Sequence, residues 1–302
     1  MLGQKDQFLP YFKQHGIEVD TPDVVQTLSV EQLIKLVPNY DGWIIGDDPA
    51  TAAVFEAGAA GNLKAAVKWG IGVDNVDFKA CERLGIPIIN TPNMFGREVA
   101  DIALGYVIGL ARETFTIDRE VRKGNWLKVS GMSLASKKVG LVGYGDIGQN
   151  TAKRLLAAEM EVIVFDPFYD QSRNPYPDVK FANWPEGIDE FDFIVFTCAL
   201  SDSNFHMFSA AEISRCKDGV RIVNVARGPL INEADLIAGL LSNKIYSAAL
   251  DVFEVEPLQQ SSSLAKMERC IFGSHNSSNT VDAVHATNKK AINALLDFLG
   301  VI

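Results

Sequence analysis

The chain has 302 residues, 47% of them hydrophobic and 22% charged, which is ordinary globular usage and enough sequence for two separately cored domains. A disordered chain and a small disulfide-stapled or metal-nucleated fold are thereby excluded. Lys and Arg number 28 against 38 Asp and Glu, a net charge of −10 that would repel nucleic acid or an anionic membrane surface but still allows a local basic pocket.

Short apolar runs alternate with helix-like segments along the chain, the pattern of α/β proteins with parallel sheets. After a helical stretch at 6–15, strands are expected at 17–19, 43–45, 65–69 and 87–89. Ser29 followed by Gln32 marks a capping box at the start of one helix, and the next begins near Thr51. From 98 to 112 the apolar positions Val99, Ile102, Ala103, Tyr106, Val107 and Leu110 recur at helical spacing, predicting one long amphipathic helix suited to joining two domains. A second α/β series follows, with strands at 138–142, 162–165, 193–197, 221–225, 246–250 and 270–272, the strand count of a doubly wound dinucleotide fold. The last helix, 281–299, has no strand after it and is expected to pack back on the first domain.

The first thirty positions carry Lys5, Asp6, Lys13, Glu18, Asp20 and Asp23 without a signal-peptide apolar block, and no run approaches about 18 apolar residues. Cys81, Cys198, Cys216 and Cys270 form no C-x-x-C pair and read as reduced core thiols. The expectation is a cytoplasmic protein with no membrane partner, no nucleic-acid partner and no metal site.

Gly143-Tyr144-Gly145-Asp146-Ile147-Gly148 is a G-x-G-x-x-G turn between a predicted strand and a predicted helix. Glycines there permit a tight turn and close approach of backbone to a pyrophosphate, while the helix start supplies N–H groups and positive dipole. Asp166 ends the next strand, 18 residues beyond Gly148, where a carboxylate bonds both ribose hydroxyls and repels a 2′-phosphate, favouring NAD over NADP.

Ligands of open parallel sheets sit at the carboxyl ends of the strands. Arg227, Asp251 and His275 follow three predicted strands at equal intervals of 24 residues, so all three belong on the same edge as the glycine turn. A guanidinium can grip a carboxylate with two parallel hydrogen bonds, and an imidazole can exchange a proton with an oxygen on carbon. Reduction needs that imidazole protonated, a form favoured by a nearby carboxylate; Glu256, before Pro257 in Glu254-Val255-Glu256-Pro257, is a candidate.

Several segments resemble the D-isomer-specific 2-hydroxyacid dehydrogenase family, most closely its phosphoglycerate dehydrogenase-like branch. They are 68–77 (KWGIGVDNVD), Asn90-Thr91-Pro92 with Glu98-Val99-Ala100-Asp101, the glycine turn, 224–228 (NVARG), 249–257 (ALDVFEVEP) and His275. The resemblance implies two doubly wound parallel-sheet domains: a Rossmann cofactor domain at 92–279 inserted in a flavodoxin-like substrate domain at 1–91 and 280–302. It implies a catalytic set of Arg227, Glu256 and His275, with Glu256 preferred to Glu254 because the family's acid directly precedes the proline. NAD would be held by the glycine turn, Asp166, Ala226 and Asp251. The substrate, a small 2-hydroxy or 2-oxo acid, would be held by Gly70, Ile71 and Gly72 together with Arg227. A homodimer through the cofactor domain is expected, with no appended effector domain. Lys68 and Arg97 are candidates for a second anionic group on the substrate.

Three departures stand against the family pattern: a first strand shortened or lost ahead of 6–15, Asn93-Met94-Phe95-Gly96-Arg97 after Asn90-Thr91-Pro92, and His275-Asn276-Ser277-Ser278 where relatives often have His-Ile-Gly-Gly. The reading is an NAD-dependent dehydrogenase. The alternative is a dinucleotide-sensing, co-repressor-like protein with little turnover; the intact Arg, Glu and His set favours turnover. A formate dehydrogenase-like reading is disfavoured because that branch lacks this acid beside its His.

Overall fold

The computed structural model describes residues 2–22, 24 and 27–302, Leu2 by its backbone only. The chain divides into two compact units, Met1–Met94 with Asn279–Ile302, and Phe95–Ser278. The first crossing falls at Phe95, a buried residue just ahead of the long connecting helix, not at 92.

In the first unit, β1 (Gly42–Ile45), β2 (Ala65–Lys68) and β3 (Ile88–Asn90) form a parallel sheet in the order β1-β2-β3. The two-residue period of β2 sends Ala66 to one face and Ala65 and Val67 to the other. Ala66 joins Leu33, Val54 and Phe55 from α2 (Val30–Leu36) and α3 (Ala52–Ala60). Ala65 and Val67 meet Ala291 and Leu295 of the C-terminal helix, Val281–Phe298. That helix also packs Ile292 and Leu296 against Phe8 and Phe12 of α1 (Lys5–Gln14), so the last helix returns to the first sheet. At the start of α2 the Ser29 side chain accepts from the Gln32 N–H while Gln32 accepts from Ser29, a box worth about 1 kcal/mol.

The strand expected at 17–19 does not form. Ile17 closes α1, its N–H donating to Phe12 O at 3.0 Å and its side chain packing with Phe8 and Phe12, while Val19 is exposed. Three alternating residues fit a helix exit as well as a strand. Among the described residues no strand precedes α1.

The second unit opens on α5 (Gly96–Arg112), which follows α4 (Phe78–Leu84) in the chain and buries Val99, Ala103, Val107 and Leu110. Each large apolar side chain removed from water there contributes roughly 1.5–3 kcal/mol. The sheet comprises β4 (Lys138–Val142), β5 (Glu161–Phe165), β6 (Lys180–Phe181), β7 (Phe193–Phe196), β8 (Val220–Asn224), β9 (Ile245–Leu250) and β10 (Ile271–Phe272). All strands are parallel, in the order β10-β9-β8-β7-β4-β5-β6. The order reverses at β4, and the glycine turn follows that strand, at the switch point where such sheets bind ligands. Two elements had no clear sequence signal: the two-residue edge strand β6, and α6 (Thr114–Arg122), which follows Glu113 in a left-handed conformation at φ 53°. Among the described residues no helix is long and apolar enough to cross a membrane, and no group of three His, Cys, Asp or Glu could hold a metal.

Candidate active site

Strand register lines up Phe165, Val142, Phe196, Asn224, Leu250 and Phe272 across the large sheet. Whatever follows each of these residues lies along one carboxyl edge: Asp166, Gly143, Arg227, Asp251 and His275. β8 ends at Asn224, one residue earlier than expected, and the Asn224 side chain shapes the turn beyond it. Its Oδ1 accepts from Ala226 N at 3.0 Å and its Nδ2 donates to Arg227 O at 2.9 Å.

The glycine turn connects β4 to α7 (Asp146–Ala157). Gly143 has φ +95°, and a Cβ there would lie 2.6 Å from the Cys198 backbone; a Cβ on Gly148 would strike the Gly143 carbonyl. Gly145, by contrast, faces open space. A turn packed tightly underneath and bare above, at the start of a helix, fits the close seating of a pyrophosphate on backbone N–H groups. Tyr144 takes part through its backbone: its ring is buried edge-on against Tyr169 and Phe181, and its hydroxyl donates to Asn174 at 2.8 Å. The Tyr144 N–H donates to Asp166 Oδ2 at 2.7 Å and Phe168 N–H to Oδ1 at 2.9 Å, which anchors the acid at the end of β5. The Asp146 carboxylate packs on the α-carbon side of Gly96, where a Cβ would strike it, and accepts from Asn150 at 3.1 Å. Its side chain thus belongs to the α5–α7 packing, leaving the backbone as the group suited to an anion.

At the other end of the edge, His275 Nδ1 lies 2.8 Å from Glu256 Oε2. Burial raises the Glu256 carboxyl, but the hydrogen bond to His275, the Phe253 N–H at 3.0 Å and the charges of His275 and Arg227 outweigh it and hold the group below the ordinary carboxylate range. Glu256 is therefore an anion at neutral pH, and it favours the imidazolium. Arg227 donates from Nη1 to Ala226 O at 2.8 Å, which fixes one side of its fork.

His275 occupies the left-handed region at φ +55°, unusual for a residue with a Cβ. Asp251 holds it there. The Asp251 carbonyl accepts the His275 N–H at 2.7 Å, and its buried carboxylate accepts from Asn276 N at 3.2 Å, Ser277 N at 2.9 Å and Ser277 Oγ at 2.5 Å. The Ser277 departure thereby acquires a role that sequence alone did not suggest. The Tyr106 hydroxyl, raised above its ordinary pKa by burial and then by the Asp251 charge, packs under Gly273 in the same cluster. Its place in the helical apolar stripe had hidden this polar end.

In the first unit, the Gly70 N–H, expected to meet a substrate carboxylate, donates instead to Thr91 Oγ1 at 2.7 Å. Asn90 Nδ2 donates to Ile71 O at 3.0 Å, so the whole loop is braced from the end of β3. Lys68 is buried at 3% exposure with its ammonium on Gly46 O at 2.6 Å and Asp47 Oδ1 at 3.5 Å. A buried ammonium held by a carbonyl and an acid is a strut between β1 and β2. Arg97 is exposed on the first turn of α5.

The model of the D-isomer specific 2-hydroxyacid dehydrogenase NAD-binding domain matches residues 104–277. Hydroxypyruvate reductase of Thermotoga maritima is 33% identical over 279 residues, covering 91% of this chain and 90% of that protein. D-3-phosphoglycerate dehydrogenase of Archaeoglobus fulgidus is 31% identical over 281 residues, 92% of this chain but 52% of that one, so the chain spans about half its length. Among solved structures, the TT0316 protein of Thermus thermophilus superposes with a TM-score of 0.89 at 27% identity, covering 97% of this chain and 94% of that one. The apo D-lactate dehydrogenase of Escherichia coli gives 0.85 at 25%, with 99% and 95% covered. Fold and sheet edge together define an NAD-dependent oxidoreductase acting on CH–OH groups. Within that class, the chain belongs to the D-isomer-specific 2-hydroxyacid dehydrogenase family.

Proposed function

We propose that this dehydrogenase interconverts a phosphoglycerate- or hydroxypyruvate-type D-2-hydroxy acid and its 2-oxo acid, with Arg227, Glu256 and His275 as its catalytic residues. The 2.8 Å contact of His275 Nδ1 with Glu256 carries the reading, because it pairs the ring with an anion that favours its protonated, proton-donating form. Bound NADH supplies the hydride that reaches C2 of the oxo acid. His275 delivers the proton to the C2 oxygen, Glu256 stabilises the imidazolium before transfer, and Arg227 grips the carboxylate through its planar fork. Asp251 keeps the His275 loop in register. Since Thr91 takes the Gly70 N–H, the carboxylate-binding role implied by the resemblance passes to the N–H groups of Ile71 and Gly72.

The cofactor is held, in this reading, by the backbone of 143–148, by Ala226 and by Asp166, whose carboxylate matches two ribose hydroxyls and disfavours a 2′-phosphate. Arg97 is the cation that would meet a second anionic or polar group on the substrate, as the relatives' names suggest. A panel of hydroxypyruvate, 3-phosphohydroxypyruvate, glyoxylate and pyruvate, assayed with NADH and NADPH in wild type and Arg97→Ala, tests this. NADH is expected to be preferred by more than about tenfold, from lost ribose hydrogen bonds plus phosphate repulsion. The larger polar acids should outpace pyruvate, with Arg97→Ala narrowing the gap; equal use of both cofactors, or unchanged selectivity in the variant, would reject the respective assignment.

We also infer a homodimer formed through the second unit. Ile102 and Ile108 on α5, Phe115 and Val121 on α6, and Trp126 at 82% exposure are apolar groups left in water on one chain, and a second copy would cover them. The expected mass by light scattering is twice 33.0 kDa, and Trp126→Glu with Val121→Glu should release monomer. Four free cysteines, three of them buried, support a reducing, cytoplasmic setting.

A further inference from the structure

The motif Glu254-Val255-Glu256-Pro257 holds two acids, and only Glu256 meets His275. Glu254 points elsewhere: its Oε1 lies 2.6 Å from His206 Nε2 and accepts the Glu233 N–H at 3.1 Å, at the start of α8 (Glu233–Leu241). His206 Nε2 is shut off from solvent and approaches Glu254 without the angle of a straight hydrogen bond. The same histidine donates its backbone N–H to Pro229 O at 2.8 Å, two residues past Arg227, and holds φ +54° to do so. Asn232 Nδ2 lies 3.3 Å from its other ring nitrogen. Gly228 packs so closely on the Phe253–Glu254 peptide that a Cβ there would overlap it. One histidine and one acid therefore clamp the segment bearing Arg227 to the segment bearing Glu256. The neighbouring Glu233 carboxyl, raised by burial and by Glu254, accepts weakly from Glu254 N at 3.4 Å and completes the cluster.

We propose that Glu254 and His206 are positioning residues, a brace that holds the Glu256 carboxylate on His275 and Arg227 beside it without touching substrate or cofactor. The proposal rests on Glu256 acting through His275. If the brace is loosened, the Phe253 N–H that orients Glu256 shifts with its loop, and the imidazolium loses part of its anionic partner. A role confined to stability would lower the melting temperature and leave the ionisation of His275 where it was.

The chain has four histidines, so the titration of His275 can be followed by NMR in the free protein and assigned with single His variants. Glu254→Gln is expected to lower the His275 midpoint, by less than Glu256→Gln does, and to move the alkaline limb of hydroxypyruvate reduction by NADH to lower pH with the KM for NADH unchanged. His206→Ala should do the same, and His206→Gln, which keeps a polar side chain beside Glu254, should restore most of the wild-type profile. In a Glu256→Gln background, Glu254→Gln should add nothing further to either readout. A normal His275 midpoint in folded Glu254→Gln and in His206→Ala, with Glu256→Gln shifted, would overturn the brace and spare the assignment of Glu256. An unshifted Glu256→Gln would overturn both. Should Glu254→Gln fail to fold, the His206→Ala and His206→Gln pair decides by the same criterion.

Discussion

Replacing His275 with Ala is expected to lower turnover in oxo-acid reduction by roughly 10²–10⁴-fold while leaving NADH affinity near that of wild type. The imidazole is the proposed proton donor, and removing it would leave that step to water. Affinity should survive because the glycine turn and Asp166 stand at β4 and β5, on the far side of β7 and β8 from the His275 loop. Stability should change little: His275 lies on an exposed loop at φ +55°, and its ion pair with Glu256 is only partly shielded from solvent. Steady-state kinetics together with NADH fluorescence titration checks this. Near-normal turnover would remove His275 from the mechanism, and a parallel loss of NADH binding would show that the loop, not the proton, had been damaged.

The second large effect is expected at Arg227. Arg227→Lys keeps the charge but discards the planar fork, including the Nη1 bond to Ala226 O that sets its direction. Losing one charge-assisted hydrogen bond to a carboxylate costs about 1.5–3 kcal/mol, which is roughly a 10–150-fold rise in KM for the oxo acid. Cofactor affinity should be spared, since the change lies in substrate binding. A Lys variant with unaltered KM would show that the substrate carboxylate is gripped elsewhere.

The two substitutions separate the roles proposed along the sheet edge: His275 for the oxygen being protonated and Arg227 for the carboxylate that orients it. Asp251 contributes indirectly. Its carboxylate has three donors from 276–277 and lies under a Gly273 that tolerates no Cβ, so its removal is expected to disorganise the His275 loop as a whole.

Much of this was legible from one sequence because it follows from local chemistry. The alternation of short apolar runs with helical periods marks a parallel α/β chain, and glycines at 143, 145 and 148 between a strand and a helix mark an anion-binding turn. The regular recurrence of βα units carries Arg227, Asp251 and His275 to one edge, since parallel strands in register end in a row. Only the tertiary structure decided which groups pair. Glu256 and Glu254 are two residues apart with the same side chain, and they diverge because the loop turns one toward His275 and the other toward His206. Gly70 looked like a carboxylate donor until Thr91, at the next strand end, took its N–H, and the Lys68 ammonium is buried with one of its bonds on Gly46 O. The expected strand at 17–19 became the exit of α1, where Ile17 packs against the cluster of Phe8 and Phe12. In each case the competing partner comes from a distant part of the chain or from a neighbouring element. Local pattern states what a residue can do, while packing decides which of its possible partners arrives first and excludes water.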